Sequence, residues 1–128
     1  MFRLIACLAL LGGLCACAAT PSTVASPSDD EFSAAWQEGD HTKDRDGAAY
    51  VQNMARGLGP VLMASFSECN GPRPGPARLA VQLNLDGSVR KAMVRPSTPY
   101  WECVKDSVAK KRFPPPPRDA FWTRGTLN

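Results

Sequence analysis

A small α+β domain is predicted, in the order helix, strand, strand, helix, strand, with two helices on a three-stranded antiparallel sheet. Two periods and one turn signal predict it. Apolar residues recur at spacings of three and four from Tyr50 to Phe66, then alternate from Leu79 to Leu85. Asp86-Gly87 follows where a hairpin must reverse. The chain has 128 residues, enough for one small domain rather than two.

The first helix carries Tyr50, Val51, Met54, Leu58, Val61, Leu62, Met63 and Phe66 as its stripe. Gly57, Gly59 and Pro60 interrupt it, and Pro60 reads as the start of a second helical segment ending near Cys69. Asn70 to Pro76, NGPRPGP, excludes regular structure. Leu79, Val81, Leu83 and Leu85 form the inward face of the first strand, and Asp86-Gly87 is expected as a two-residue turn. In the return strand, Val89 to Arg95, alternation falters. A bulge near Arg90-Lys91 would bring Val89, Ala92 and Val94 to one face. Thr98 caps the next helix and Pro99 opens it. Trp101, Val104 and Val108 point inward there, and Lys110-Lys111-Arg112 sits at its end. Pro114 to Pro117 forms an extended segment. Ala120 to Leu127 closes the sheet, with Phe121, Thr123, Gly125 and Leu127 on one face and Trp122, Arg124 and Thr126 on the other.

Ahead of this domain lie two other segments. Met1-Phe2-Arg3 and the uncharged run Leu4 to Leu14 match a secretory signal, being too short to span a bilayer, which needs about 20 residues. Leu14-Cys15-Ala16-Cys17 then resembles a bacterial lipobox. That resemblance implies cleavage after residue 16, a diacylglyceryl group on Cys17 and acylation of its new amine, as with palmitate. Ala18 in place of aspartate favours the outer membrane by the same analogy. The competing readings are a plain signal cut after Ala18 and an uncleaved anchor.

Residues 17–47 read as an acidic flexible tether and 48–128 as the domain. Residues 17–49 carry two bases and seven acids, 2 − 7 = −5, whereas 50–128 carry twelve bases and five acids, 12 − 5 = +7. Ser28 before Asp29-Asp30-Glu31 would cap a short helix with Phe32, Ala35 and Trp36 on one face. The acidic stretch is expected to be solvated rather than folded onto the basic domain, because exposed charges are screened over about 8 Å.

Cys7 and Cys15 leave with the signal and Cys17 is assigned to lipid, so Cys69 and Cys103 remain as an even pair in an oxidising compartment. They read as a structural disulfide. The alternatives are a redox dithiol, for which C-x-x-C is absent, and a zinc site, for which His41 is the sole histidine. No Ser-His-Asp set, paired carboxylates, phosphate loop or metal-ligand spacing is present, so neither an enzyme nor a cofactor is expected. No nucleic-acid motif accompanies the basic charge, and nucleic acid is not an expected partner.

The stretch from Val61 to Pro117 resembles the TonB C-terminal domain superfamily, most closely its AgmX/PglI-type variant. The matching residues are Cys69 after an apolar helix, VQLNLDGSV at 81–89, and Val94-Arg95-Pro96-Ser97. Trp101-Glu102-Cys103-Val104 and FPPPP at 113–117 complete the match. Cys69 and Cys103 also match the paired cysteines of that variant. The resemblance implies a domain that binds protein partners by adding a strand at a sheet edge. The proline-free run Ala120–Leu127 is expected to be that edge here, with Trp122, Thr123 and Arg124 as the contacts. Core packing is the competing reading for Trp122. A partner peptide or a second copy of the domain, giving a homodimer, would fit the edge.

Together these expectations describe a lipid-anchored binding module on the periplasmic face of a Gram-negative membrane. The alternatives are a TonB-type energy transducer with an uncleaved anchor and a lipoprotein inhibitor of a periplasmic enzyme.

Overall fold

The computed structural model describes residues 27–128, so the expected signal peptide, the lipidation site Cys17 and the first part of the tether lie outside the described residues. Among the described residues three helices and three strands form: α1 (Asp29–Glu38), α2 (Arg45–Ser67), β1 (Ala77–Leu83), β2 (Val89–Arg95), α3 (Pro99–Ala109) and β3 (Phe121–Leu127). The sheet order is β2-β1-β3, with both neighbours antiparallel to β1. From α2 onward the order is the predicted α-β-β-α-β in a small α+β domain. No helix among the described residues is long and apolar enough to cross a membrane.

The β1–β2 hairpin differs from expectation at its turn. Asn84 accepts from Gly87 N–H and donates to Ser88, 2.9 Å each, so Leu85-Asp86-Gly87 is a three-residue loop. Gly87 takes φ +85°, which a type I turn closed by a left-handed residue requires. Leu85 therefore leaves the strand and stands 56% exposed. The bulge falls where alternation faltered: Gln82 pairs with Lys91 and Leu83 with Val89, leaving Arg90 as the extra residue.

α2 is one unbroken helix with Pro60 inside it. Pro60 is exposed, so water can satisfy the carbonyl that its missing N–H leaves free. The helix also begins earlier than predicted. Asp44, inside the stretch read as tether, is its cap and accepts from Gly47 N–H. In α3, Thr98 accepts from Trp101 N–H and Pro99 opens the helix, as the sequence indicated. The helix ends at Ala109, so the basic run follows it rather than forming its last turn.

α2 and α3 cover one face of the sheet. Trp101, Val104 and Val108 of α3 meet Leu79, Val81, Leu83 and Val94 there, joined by Met54 and Phe113. Trp101 is fully buried, and its indole N–H donates to the Gly75 carbonyl at 3.1 Å, satisfying the one polar atom it brings inside. Cys69, just beyond α2, and Cys103 in α3 are joined by a disulfide with Cα atoms 5.9 Å apart. The bridge closes a loop of separation 34, for which the chain-entropy estimate is about 3.8 kcal/mol. Glu68 fastens the same two helix ends a second time, bonding Ser107 and Lys111.

The acidic stretch corrects the expectation of a solvated tether. α1 lies on the other face of the sheet, where Phe32 and Ala35 pack on Ala80 and Met93, flanked by Trp36 and Trp122. Ser28 caps it as read. Screening governs exposed charges, but burial of Phe32 and Trp36 brings the charges to contact distance, where screening is weak. Lys91 then meets Glu31, Arg95 meets Asp29, Arg124 meets Asp40 and Arg118 meets Asp44. Residues 28–47 are therefore part of the folded domain.

Candidate functional site

β3 is an edge strand, and its backbone direction can be read from one contact. The His41 ring N–H at Nε2 donates to the Trp122 carbonyl at 2.7 Å, so that carbonyl points away from β1. Residues two apart on a strand share direction. Hence Trp122, Arg124 and Thr126 present their N–H and C=O groups outward, and Phe121, Thr123, Gly125 and Leu127 bond to β1. His41 occupies the first outward acceptor. The outward groups of Arg124 and Thr126 have no backbone partner among the described residues.

The opposite edge is defended. β2 carries Arg90, Lys91, Arg95 and a bulge, and the outward carbonyl of Val94 accepts from the Arg95 guanidinium at 3.0 Å. Charges, bulges and capped acceptors all discourage edge pairing. β3 has none of these beyond Arg124 and the His41 cap.

Two of the concavities that border β3 bear on its edge. An open groove of about 710 Å³ lies beside Arg124 and His41, walled by Ala48, Val51 and Ala55 of α2. A recess of about 80 Å³ opens beside Thr123 to Leu127, lined by Met54, Leu62, Val108 and Phe113. The first gives room for a backbone alongside β3, and the second can take a small apolar side chain.

The three residues named as contacts stand differently from expectation. Trp122 is half-buried under α1, in the packing that the competing reading described. Arg124 is also spent within the domain: its guanidinium lies 5.0 Å from the Trp36 ring centre, donates to the Trp36 carbonyl and pairs with Asp40. Thr123 is 9% exposed, faces α2, and turns its backbone toward β1. The side chains of all three are therefore structural, because α1 packs against Trp122 and Arg124 while Thr123 is buried on the opposite face. What remains available is the outward backbone of Arg124 and Thr126. The basic run is partly spent too, Lys111 on Glu68 and Arg112 on Asp86.

Sequence reasoning missed His41, which lies in the stretch it took as a solvated tether. The ring is buried, stacks on Phe121 at 4.4 Å, and has Nδ1 3.1 Å from Asp44 Oδ2. The helix cap at Asp44 was the available signal, since a cap fixes the chain immediately before it. Among the described residues no three His, Cys, Asp or Glu side chains are grouped to hold a metal ion.

Asp44 joins this edge to acid sensitivity. The Arg118 guanidinium, and next the Gly47 N–H, hold its carboxyl down at about 2. In the unfolded chain an aspartate titrates near 3.9. A carboxyl lowered in the fold stabilises it fully above the unfolded value, and that contribution is lost as pH falls through the folded one. Asp44→Asn keeps a good helix cap but no titrating charge. Urea melts from pH 4 to pH 2 should show wild type losing stability more steeply than the variant. Parallel losses would remove Asp44 from the acid response.

Comparison with protein-family models, with curated proteins and with solved structures finds no match to this chain.

Proposed function

We propose that this chain is a lipid-anchored binding module of the periplasm of a Gram-negative cell, with a TonB-C-like domain that captures an extended protein segment along β3. The observation that carries the reading is the free outward backbone of Arg124 and Thr126 on an edge strand whose Trp122, Thr123 and Arg124 side chains are already packed within the domain. A site made of backbone groups selects an extended chain, and its neighbouring recess selects the side chain that chain carries. The anchor is read from Leu14-Cys15-Ala16-Cys17.

A photoreactive phenylalanine analogue at Thr126 tests the edge in living cells. Adducts of defined mass are expected from Thr126 and not from Met63, which is 62% exposed on α2. Adducts from Met63 alone would move recognition to the helical face. Cys17→Ser tests the anchor: incorporation of a palmitate analogue and membrane retention should both disappear. A Cys17→Ser chain still cut at the same place and still membrane-bound would overturn the lipoprotein reading.

A further inference from the structure

We propose that Gly125 and the recess beneath it form a specificity pocket for the captured segment. The pocket takes a branched aliphatic side chain, valine or leucine, from the residue that stands opposite Gly125. This pocket rests on strand capture along β3 and names the side chain captured. Gly125 lies within β3, where glycine weakens a sheet and marks the close approach of another backbone. The fold itself does not call for glycine here. Gly125 has no positive φ, and a Cβ built on it would meet no surrounding atom within 4 Å.

Register places the gap. Gly125 pairs with Leu79, so the side chain it lacks would lie on the face covered by α2 and α3, between Thr123 and Leu127. The recess of about 80 Å³ opens there, and Met54, Leu62, Leu79, Val81, Val108 and Phe113 line it with apolar surface. An apolar cavity that holds benzene has about 150 Å³. At about half that volume, the recess fits a side chain of about three or four carbons and excludes a ring.

The free backbone centres on the same residue. His41 caps the Trp122 carbonyl, and Arg73 donates at 2.9 Å to the carbonyl of Asn128, just past β3. Between these caps, Arg124 and Thr126 offer outward N–H and C=O groups on either side of Gly125. An antiparallel strand bonded to both sets one residue directly opposite Gly125, with Cα atoms about 4.5 Å apart and its side chain on the same face. That side chain covers the gap a strand glycine leaves. A second copy pairing by its own free β3 edge cannot supply it. Its residue opposite Gly125 would be Phe121, Thr123, Gly125 or Leu127, and each is buried in its own core or has no side chain. The occupant is therefore a segment of a different protein, apolar and uncharged at this position.

The test uses residues 17–128 with Cys17→Ser, exported behind a cleavable secretory signal, which retains every described residue. The probe is a displayed library of short random peptides selected on this protein. Selected peptides should share valine or leucine at one position, and glycine or phenylalanine there should weaken binding by about tenfold. Gly125→Val should melt at or above the wild-type temperature, because a β-branched residue enters open space in a strand. It should weaken the same peptides by about tenfold. Leu62→Ala should enlarge the recess and admit the phenylalanine peptide. A folded Gly125→Val variant that binds the peptides at full strength would overturn the pocket, as would a Leu62→Ala variant that still excludes phenylalanine. Peptides weakened by Thr126→Pro but not by Gly125→Val would keep strand capture and remove the pocket alone. Peptides indifferent to both, or a library with no enrichment, would overturn strand capture and the pocket with it.

Discussion

Gly87→Ala should destabilise the domain by about 3 kcal/mol or more. Gly87 has φ +85°, and a Cβ built there would lie 1.8 Å from the Phe113 carbonyl oxygen and 2.9 Å from its carbon. Those are backbone atoms, so no side-chain rotation relieves the overlap. Phe113 N–H also donates to the Gly87 carbonyl at 2.9 Å, and the Phe113 ring is 6% exposed in the core. Moving either residue pulls the end of α3 away from the hairpin. With a typical net stability of about 5–15 kcal/mol, this is a large share. Gly87→Asn separates two causes. Asparagine tolerates the left-handed backbone, so a purely conformational cost would largely vanish, whereas the overlap would remain. Denaturant melts should place both variants well below wild type and Leu85→Ala close to it. A Gly87→Asn variant as stable as wild type would show that the Phe113 backbone yields easily.

The same hairpin shows what a sequence can carry. Asp86-Gly87 marked the reversal correctly, because positive φ is a local demand that glycine meets locally. Whether the loop held two or three residues depended on the Asn84–Ser88 bonds, which pattern does not report. Thr98-Pro99 and the Trp101, Val104, Val108 stripe were legible for the same local reason. The disulfide was read from an expected oxidising compartment and an even pair of cysteines rather than from contacts.

α1 was legible as a helix, by its Ser28 cap and its Phe32, Ala35, Trp36 stripe, but its place was not. Placing it needed the other face of the sheet, where Arg78, Lys91, Arg95 and Arg124 surround Ala80 and Met93. A strand with Val81 inward and alternating Ala80 and Gln82 outward reads as one-faced. Ala80 proved fully buried because α1 covers it. The candidate site suffered from the same omission. Trp122 and Arg124 were chosen because they faced away from the predicted helices, and that is the face α1 occupies.

Backbone direction along β3 then decides how the edge must be tested. Proline at Thr123 or at Thr126 removes one donor in either case. The two donors point opposite ways. Thr123 pairs with Val81 inside the sheet, so Thr123→Pro should cost about 3 kcal/mol or more by leaving a buried acceptor unpaired and breaking the β1–β3 ladder. That variant cannot report on partner binding, since it damages the domain's own sheet. Thr126 is exposed and directs its N–H outward, where an edge tolerates proline at about 1 kcal/mol or less. Thr126→Pro should keep its circular-dichroism melt and lose partner capture, scored as adducts from a photoreactive residue at Asn128, by tenfold or more. The inverse pattern, a folded Thr123→Pro variant and a destabilised Thr126→Pro one, would reverse the assigned backbone directions. A folded Thr126→Pro variant that captures its partner at full strength would remove strand addition along β3 as the mode of recognition.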